Sequence, residues 1–228
     1  MSDRPSGFLA VMADRAPTDV DDLDYFPTPP WAARAGGELI KSIDPQARTA
    51  WEPACGGGHM AHGLADYFET VWGSDIHPHG DHRLGDFLNL DPAEAWPEAD
   101  WIVTNPPFVR GEAFVREGWR RARRGVAMLL RLSFLEGVAR HKLLYKDLPL
   151  YACAPFAERV PMVKGRWDPA ASSATAYAWF VWFKPGLGVW PAPLLMPIPP
   201  GARARLTHSA DAETFGAAAN QTLFDEPR

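Results

Sequence analysis

Residues 50–60 read AWEPACGGGHM. The apolar start predicts a β-strand, the glycines at 56–58 predict a tight turn, and the apolar spacing beyond them predicts a helix. Glycine suits this turn because it adopts positive φ angles and lets a ligand come close to the backbone. The amides at the start of the helix would then face that ligand. This stretch therefore predicts a strand, turn and helix of an α/β protein, with a ligand site at the turn.

Acidic residues at the ends of two predicted strands support a ligand site. Glu52 ends the first strand, where its carboxylate would attract the cationic amino acid part of a cofactor. Asp75 ends the next strand about 20 residues beyond Gly56, where a carboxylate can accept hydrogen bonds from both hydroxyls of a ribose. The pattern Gly56-x-Gly58-x-x-Ala61 with a downstream acid also fits the dinucleotide fingerprint. An NAD site and a purely structural turn are therefore open alternatives.

A second motif, NPPF at residues 105–108, follows the predicted strand Trp101–Thr104. The two prolines end the strand because they lack an N–H donor and fix φ. Asn105 is left at the carboxyl end of the strand, where open α/β sheets bind ligands. Its side-chain oxygen and a backbone carbonyl of the proline pair can each accept one N–H of an amino group on an aromatic base.

Such an amino group is a poor nucleophile because its lone pair is delocalised into the ring. Holding both of its protons out of the ring plane favours a tetrahedral nitrogen that attacks a methyl sulfonium, and a phenylalanine face can stack on the base. The candidate catalytic residues are therefore Asn105, Pro106, Pro107 and Phe108. The alternative is an ordinary loop asparagine after a strand that prolines terminate.

Three segments resemble one family in their order along the chain: DYFPTPPW at residues 24–31, EPACGGG at 52–58 and NPPF at 105–108. Over roughly residues 24–184 the chain resembles the DNA adenine-N6 methyltransferases of class I, including short phage and prophage members. The resemblance implies an α/β Rossmann-like fold, with a mostly parallel seven-stranded sheet and helices on both faces. It also implies S-adenosylmethionine as cofactor and methyl transfer to adenine N6 in double-stranded DNA, with the target base flipped out.

The resemblance also assigns roles to single residues. The segment at 24–31 resembles the part of such enzymes that folds over the methionine end of the cofactor, and residues 86–87 resemble the pair that contacts its adenine. Residues 130–137 and 176–182 are similar to phage-type members too, without an assigned role. The cofactor-binding candidates are Tyr25, Phe26, Thr28, Glu52, Pro53, Ala54, Gly56, Gly58, Asp75, Ile76, Asp86, Phe87 and Asn105.

The sequence leaves alternatives open both for the group that accepts the methyl and for the activity of the protein. Asparagine at the first position of NPPF is typical of the adenine-N6 enzymes, whereas the cytosine-N4 enzymes more often have serine there. Cytosine N4, an RNA base and a protein glutamine remain possible acceptors, since the same acceptor atoms suit any amino group conjugated to a π system. A non-catalytic binding subunit with the cofactor fold and an NAD-dependent oxidoreductase are further alternatives, although the latter does not explain residues 105–108.

The chain is predicted to fold as one domain between two arms. We predict an N-terminal arm over residues 1–23, a methyltransferase domain over 24–190 and a proline-rich C-terminal tail over 191–228. Because no separate recognition domain fits, residues 133–173 would carry target recognition. The predicted strands lie near residues 49–52, 70–74, 82–84, 101–104, 126–130, 158–163 and 177–183, and the predicted helices at 31–42, 59–68, 111–123 and 135–146.

The net charge of −5 argues against a protein that coats nucleic acid non-specifically. A local arginine-rich run at residues 110–124 follows NPPF and is predicted to be helical. Arg110, Arg116, Arg120 and Arg121 are therefore candidates for phosphate contacts beside the flipped base. A solvated helix face near its carboxyl end is the alternative.

Composition indicates a cytoplasmic protein without a membrane partner. No leader pattern or bilayer-length apolar run is found in the sequence. Two distant cysteines, Cys55 and Cys153, cannot build a disulfide framework. The histidine-rich run at residues 77–82 contains proline and glycine and is expected to be a flexible loop, so we predict no metal site.

Overall fold

A computed structural model describes residues 25–186 and 192–216 of the chain. The predicted N-terminal arm and residues 217–228 of the predicted tail lie outside the described residues. Within the described ranges, no helix is long and apolar enough to cross a bilayer.

The centre of the fold is an eight-stranded sheet, one strand more than predicted, in the order β3-β2-β1-β4-β5-β7-β6-β8. Strands β3, β2, β1, β4 and β5 are mutually parallel, and β7 runs antiparallel to both of its neighbours. The strands are β1 (Thr49–Glu52), β2 (Thr70–Asp75), β3 (Arg83–Leu84), β4 (Trp101–Thr104), β5 (Gly125–Arg131), β6 (Ala152–Pro155), β7 (Tyr177–Phe183) and β8 (Leu194–Leu195).

Helices cover both faces of the sheet and bury one apolar cluster on each side. Helix α1 begins with a proline at its first position, where the missing N–H costs nothing, and packs on α2 and α5. Helix α2 ends earlier than predicted, and the predicted helix at 135–146 is a short α-helix followed by a π-helical turn, Leu143–Asp147. The α-helices are α1 (Pro30–Ile43), α2 (His59–Leu64), α3 (Gly111–Arg121), α4 (Val138–Lys142), α5 (Ala202–Leu206) and α6 (Ser209–Phe215).

Three strands differ from the prediction, and one of them is β8, which forms in the segment predicted as a tail. The predicted strand at residues 158–163 does not form; only an isolated bridge joins Val163 and Arg166. Instead β6 forms from the sequence ACAP, whose small residues show no alternation that would mark a strand. It pairs with β7 because its backbone is buried beside that long apolar strand.

Residues 192–216 pack on the domain, so the prediction of a tail outside it is wrong for this part of the chain. Prolines do not prevent strand pairing in this segment, because the residues whose backbone amides donate hydrogen bonds to the neighbouring strand are not prolines. The amides of Leu194, Met196 and Ile198 bond to carbonyls of residues 151–155, while prolines occupy positions 193, 197 and 199. Helix α6 then inserts the carboxylate of Asp211 against Arg34 of α1.

Candidate functional site

A cavity of about 950 Å³ opens at the carboxyl ends of β1, β2 and β4. Strand β1 lies between β2 and β4, so consecutive crossovers leave the sheet in opposite directions and open a crevice there. The cavity is lined by all of the predicted cofactor-binding residues except Gly56 and Gly58. It is also lined by Pro107, a predicted catalytic residue, and by Arg110, a predicted phosphate contact. These lining residues are Tyr25, Phe26, Thr28, Glu52, Pro53, Ala54, Asp75, Ile76, Asp86, Phe87, Asn105, Pro107 and Arg110.

The glycine turn lies between two residues that line the cavity, Cys55 and His59. Gly56 and Gly58 have φ angles of +50° and +79°, which other residues rarely adopt. A Cβ on Gly56 would also lie 2.3 Å from Cε2 of Tyr25. The Gly56 amide donates to Oδ2 of Asp75 (2.8 Å), and the His77 amide donates to Oδ1 of the same carboxylate (2.9 Å). Asp75 therefore holds the turn, and each of its oxygens keeps a lone pair for a further donor.

The segment that starts at Tyr25 forms another wall. The Tyr25 hydroxyl accepts from the Gly57 amide (3.1 Å), and its ring stacks on His79 with centroids 4.4 Å apart. Burial raises the pKa of Tyr25 to about 12. The histidine-rich loop thus supports an aromatic wall, and Nε2 of His82 lies 2.9 Å from the His77 carbonyl oxygen. In the ranges that the structure describes, no three His, Cys, Asp or Glu side chains are arranged to hold a metal ion.

Glu52 lines the cavity as a fully buried carboxyl. Burial raises its pKa well above the ordinary value of 4.5; the charge of Asp75 adds to this, and the Ala61 amide opposes it. Its Oε2 atom has no hydrogen-bond partner in the described chain. Leaving a buried acceptor unpaired costs about 1–3 kcal/mol. A cationic group in the cavity would relieve this cost.

Asn105 lines the same cavity, and its side-chain oxygen accepts no hydrogen bond from the described residues. Its Nδ2 donates to the Phe26 carbonyl oxygen (3.0 Å) and lies 3.7 Å from Sδ of Met162. These contacts decide the amide orientation, because only the nitrogen can donate to a carbonyl. Oδ1 is buried and has no partner among the described residues. The site therefore offers an oriented acceptor that an incoming N–H can satisfy.

Phe108 and Pro106 lie beside the cavity and not in its wall. The Phe108 ring packs near Phe26 (5.6 Å) and Tyr177 (6.0 Å). The guanidinium of the exposed Arg131, at the end of β5, lies 4.3 Å from the Phe108 ring centroid. Sequence reasoning missed this aromatic and cationic cluster. The similarity noted at residues 130–137 and 176–182, which contain Arg131 and Tyr177, was the available signal.

The predicted phosphate-binding arginines separate into two places. Arg110 is exposed at the cavity. Arg116 pairs with Asp147 (3.0 Å), and both Arg120 and Arg121 pair with Glu117. Helix α3 ends where β4 begins, since the amides of residues 123 and 124 bond to carbonyls of residues 99 and 100. At a rise of 1.5 Å per residue, the carboxyl end of α3 is about 15 Å from Arg110. It therefore lies near the amino ends of the strands, away from the cavity.

No protein-family model and no curated protein sequence matches the chain. Solved structures do match. A Listeria monocytogenes protein provisionally assigned as a class I S-adenosylmethionine-dependent methyltransferase superposes with a TM-score of 0.55 at 12% identity, over 90% of this chain and 73% of its own. The chain has the class I methyltransferase fold.

Two further proteins with the methyltransferase fold are similar. A Pyrococcus horikoshii protein provisionally assigned as an RNA methyltransferase has a TM-score of 0.53 at 12% identity, over 71% of this chain and 87% of its own. The type I restriction-modification methyltransferase subunit of Streptococcus thermophilus has a TM-score of 0.52 at 13% identity, over 71% of this chain. The match spans only 46% of that subunit. At these identities the likeness establishes the fold.

Proposed function

We propose that this chain is an S-adenosylmethionine-dependent methyltransferase that modifies the N6 amino group of adenine in DNA. The observation that carries the proposal is the buried, unpaired Oδ1 of Asn105. This atom lies at the carboxyl end of β4, beside a cavity of suitable size and in a class I methyltransferase fold. An acceptor oriented in this way costs stability unless a ligand N–H satisfies it.

The lining residues fit the parts of S-adenosylmethionine. The unpaired Oε2 of Glu52 complements the α-ammonium group, and Asp75 at the end of β2 has lone pairs for ribose hydroxyls. Asp86 and the buried ring of Phe87 form the part of the wall for the adenine. When bound, this cofactor supplies an electrophilic methyl group on a positively charged sulfur. The volume of about 950 Å³ is within the range of ordinary small-molecule sites.

The chain's own atoms act on the acceptor nitrogen. Oδ1 of Asn105 accepts one N–H of the amino group, and a carbonyl of the proline pair accepts the other. These two bonds hold the protons out of the ring plane, so that the nitrogen lone pair leaves conjugation with the ring and points into the cavity. The methylated nitrogen then carries an extra proton, which it loses readily to solvent. No general base with a shifted pKa is required.

The surroundings of Asn105 favour a planar, phosphate-bearing acceptor. Phe26, Phe108 and Tyr177 cluster beside it and suit an aromatic base better than a flexible glutamine side chain. The exposed Arg110 and Arg131 lie at the same place and suit the phosphates next to a flipped nucleotide. Within residues 133–173 we propose the loop after β6 for target recognition, because Met162 contacts Asn105 and the Gly165 amide donates to the Tyr25 carbonyl.

Product analysis tests the proposed function. The protein is incubated with S-adenosylmethionine carrying a labelled methyl group and, separately, with DNA, RNA and protein, and the DNA is digested to nucleosides. We expect label in N6-methyldeoxyadenosine. Label only in N4-methyldeoxycytidine, in RNA or in glutamine would contradict the proposed acceptor. Cofactor binding without any transfer would indicate a binding subunit, and NAD binding in its place would indicate an oxidoreductase.

Cofactor affinity is expected to rise with pH. The raised pKa of Glu52 means that the empty site keeps this carboxyl protonated above pH 4.5, and the proton must leave before the carboxylate pairs with an ammonium group. Titration calorimetry with S-adenosylhomocysteine from about pH 5 to about pH 8 measures this. The Glu52→Gln variant, which keeps Asp75, should bind about ten-fold more weakly with a flatter pH dependence. An equally steep dependence in that variant would exclude Glu52 as its source.

The phosphate contacts are expected at Arg110 and Arg131. Charge reversal of both to glutamate should weaken DNA binding and lower the slope of log affinity against log salt by about 2. The matched control is Arg120→Glu with Arg121→Glu, which changes the net charge by the same amount at the far end of α3. Fluorescence anisotropy with a labelled duplex over a salt series measures both. A larger loss of DNA affinity in the control would mean that the DNA contacts α3, as the arginine-rich run predicts.

A further inference from the structure

His59 is a buried polar residue that neither the sequence motifs nor the proposed mechanism uses. It begins α2 and lines the cavity, yet its side chain is only 5% exposed. Both ring nitrogens are buried without a hydrogen-bond partner in the described chain. Burial, with a smaller contribution from the nearby His62, lowers the pKa of His59 to about 4, so the ring is neutral at pH 7. A neutral imidazole has one N–H donor and one acceptor nitrogen, and leaving both unmet is costly.

The ring of His59 is fixed by packing from a distant part of the chain. Phe215 of α6 stacks on it with centroids 4.1 Å apart and planes 25° from parallel. The same phenylalanine contacts His62 and Trp167 edge-on. The stack therefore fixes the orientation of a ring that belongs to the cavity lining. A fixed ring with unmet hydrogen-bonding groups suits a ligand contact.

His59 and Glu52 line the same cavity from two elements that follow each other along the chain. Glu52 ends β1, and the amide that lowers its pKa belongs to Ala61, two residues beyond His59 in α2. The lining of the cavity thus includes one carboxyl oxygen without a partner, Oε2 of Glu52, and an imidazole N–H donor without a partner in the described chain. An α-amino acid carries an ammonium group and a carboxylate on one carbon, so it matches the pair.

We propose that the N–H of His59 binds the α-carboxylate of the cofactor's methionine portion, while Glu52 binds its ammonium group. The inference rests on the proposed function and adds a binding residue to the cofactor site. A hydrogen bond to a charged group contributes more than a neutral one. The contact should therefore discriminate ligands that contain the amino acid from ligands that lack it.

The test compares two ligands by titration calorimetry with the full chain. S-Adenosylhomocysteine contains the amino acid, whereas 5′-methylthioadenosine keeps the nucleoside and the thioether but lacks it. The His59→Phe variant retains the stack on Phe215 and should bind the first ligand about 10- to 100-fold more weakly. Its affinity for the second ligand should stay within about two-fold of the wild-type value. The His59→Gln variant keeps an N–H donor and should recover part of the loss.

Nuclear magnetic resonance of the wild-type imidazole gives a second readout that needs no variant. The His59 ring nitrogens should shift on addition of S-adenosylhomocysteine and not on addition of 5′-methylthioadenosine. Equal losses for both ligands, or no loss in His59→Phe, would overturn the role of His59 and leave the proposed function intact. A wild-type protein that binds neither ligand would overturn both.

Discussion

Replacing Asn105 by alanine is expected to reduce methyl transfer by a factor of about 10²–10³ or more. Cofactor affinity should stay within a few-fold of the wild-type value, because the lost bond forms to the acceptor amino group and strengthens as its nitrogen becomes tetrahedral. The structure supplies the reason: Oδ1 of Asn105 is buried and unpaired, and its orientation depends on the bond from Nδ2 to the Phe26 carbonyl. Single-turnover transfer and titration calorimetry separate the two effects.

Two other variants sharpen this prediction. Asn105→Asp keeps an acceptor oxygen but loses the donor to the Phe26 carbonyl, so it should retain more activity than alanine and less than the wild type. Thr104→Val is the matched control. It alters the preceding residue of β4, whose hydroxyl is likewise buried and unpaired but is absent from the cavity wall. Transfer should remain near the wild-type rate in Thr104→Val. Parallel losses of binding and transfer in Asn105→Ala would contradict the proposed role.

The parts of the fold that the sequence predicts correctly depend on local signals. Glycines with positive φ place the turn after β1, and the prolines after Thr104 end β4. Once these two strands are parallel neighbours, their carboxyl ends must adjoin. Residues as distant as Glu52 and Asn105 could therefore be predicted to share one cavity. A parallel α/β sheet with a shared cavity follows from this reasoning, whereas the methyltransferase fold was implied by the resemblance of three segments to a family.

The parts that were missed depend on contacts between distant residues. Strand β6 has no periodic pattern of its own and forms because β7 pairs with it. The contact of Met162 with Asn105 and that of Arg131 with Phe108 join residues that are distant in sequence, so no local spacing indicates them. His59 stands directly after the predicted glycine turn, but a single histidine on an apolar helix face has no distinctive pattern. Its significance is visible only because both ring nitrogens are buried and unpaired.

The Asp211→Ala variant is expected to lower the free energy of unfolding by about 3–5 kcal/mol. Arg34 is 2% exposed, and its Nη1 and Nη2 donate to the two carboxylate oxygens of Asp211 at 2.7 and 2.8 Å. Asp211 is 1% exposed, and removing it leaves a buried guanidinium whose remaining partners among the described residues are Asp66 and the Leu206 carbonyl. Burial raises the pKa of Asp211, but the hydrogen bonds from Arg34 bring it below 3.8. Ionised Asp211 therefore stabilises the folded state fully above pH 3.8, and this stabilisation is lost as the pH falls through the lower pKa of the folded protein.

Urea unfolding measures the cost of Asp211→Ala, and a second ion pair that also involves α1 serves as the control. Glu38 and Arg205 form an exposed pair between α1 and α5, and Glu38→Ala should cost at most about 1 kcal/mol. Replacing both buried partners, Arg34→Met with Asp211→Leu, should recover much of the loss because the two buried charges are removed together and Asp66, whose side chain is 43% exposed, stays in contact with water. Equal, small costs for Asp211→Ala and Glu38→Ala would mean that residues 192–216 do not fold cooperatively with the sheet. A large cost for Asp211→Ala alone would make α6 part of the domain, and the same helix carries Phe215, which stacks on the ring of His59.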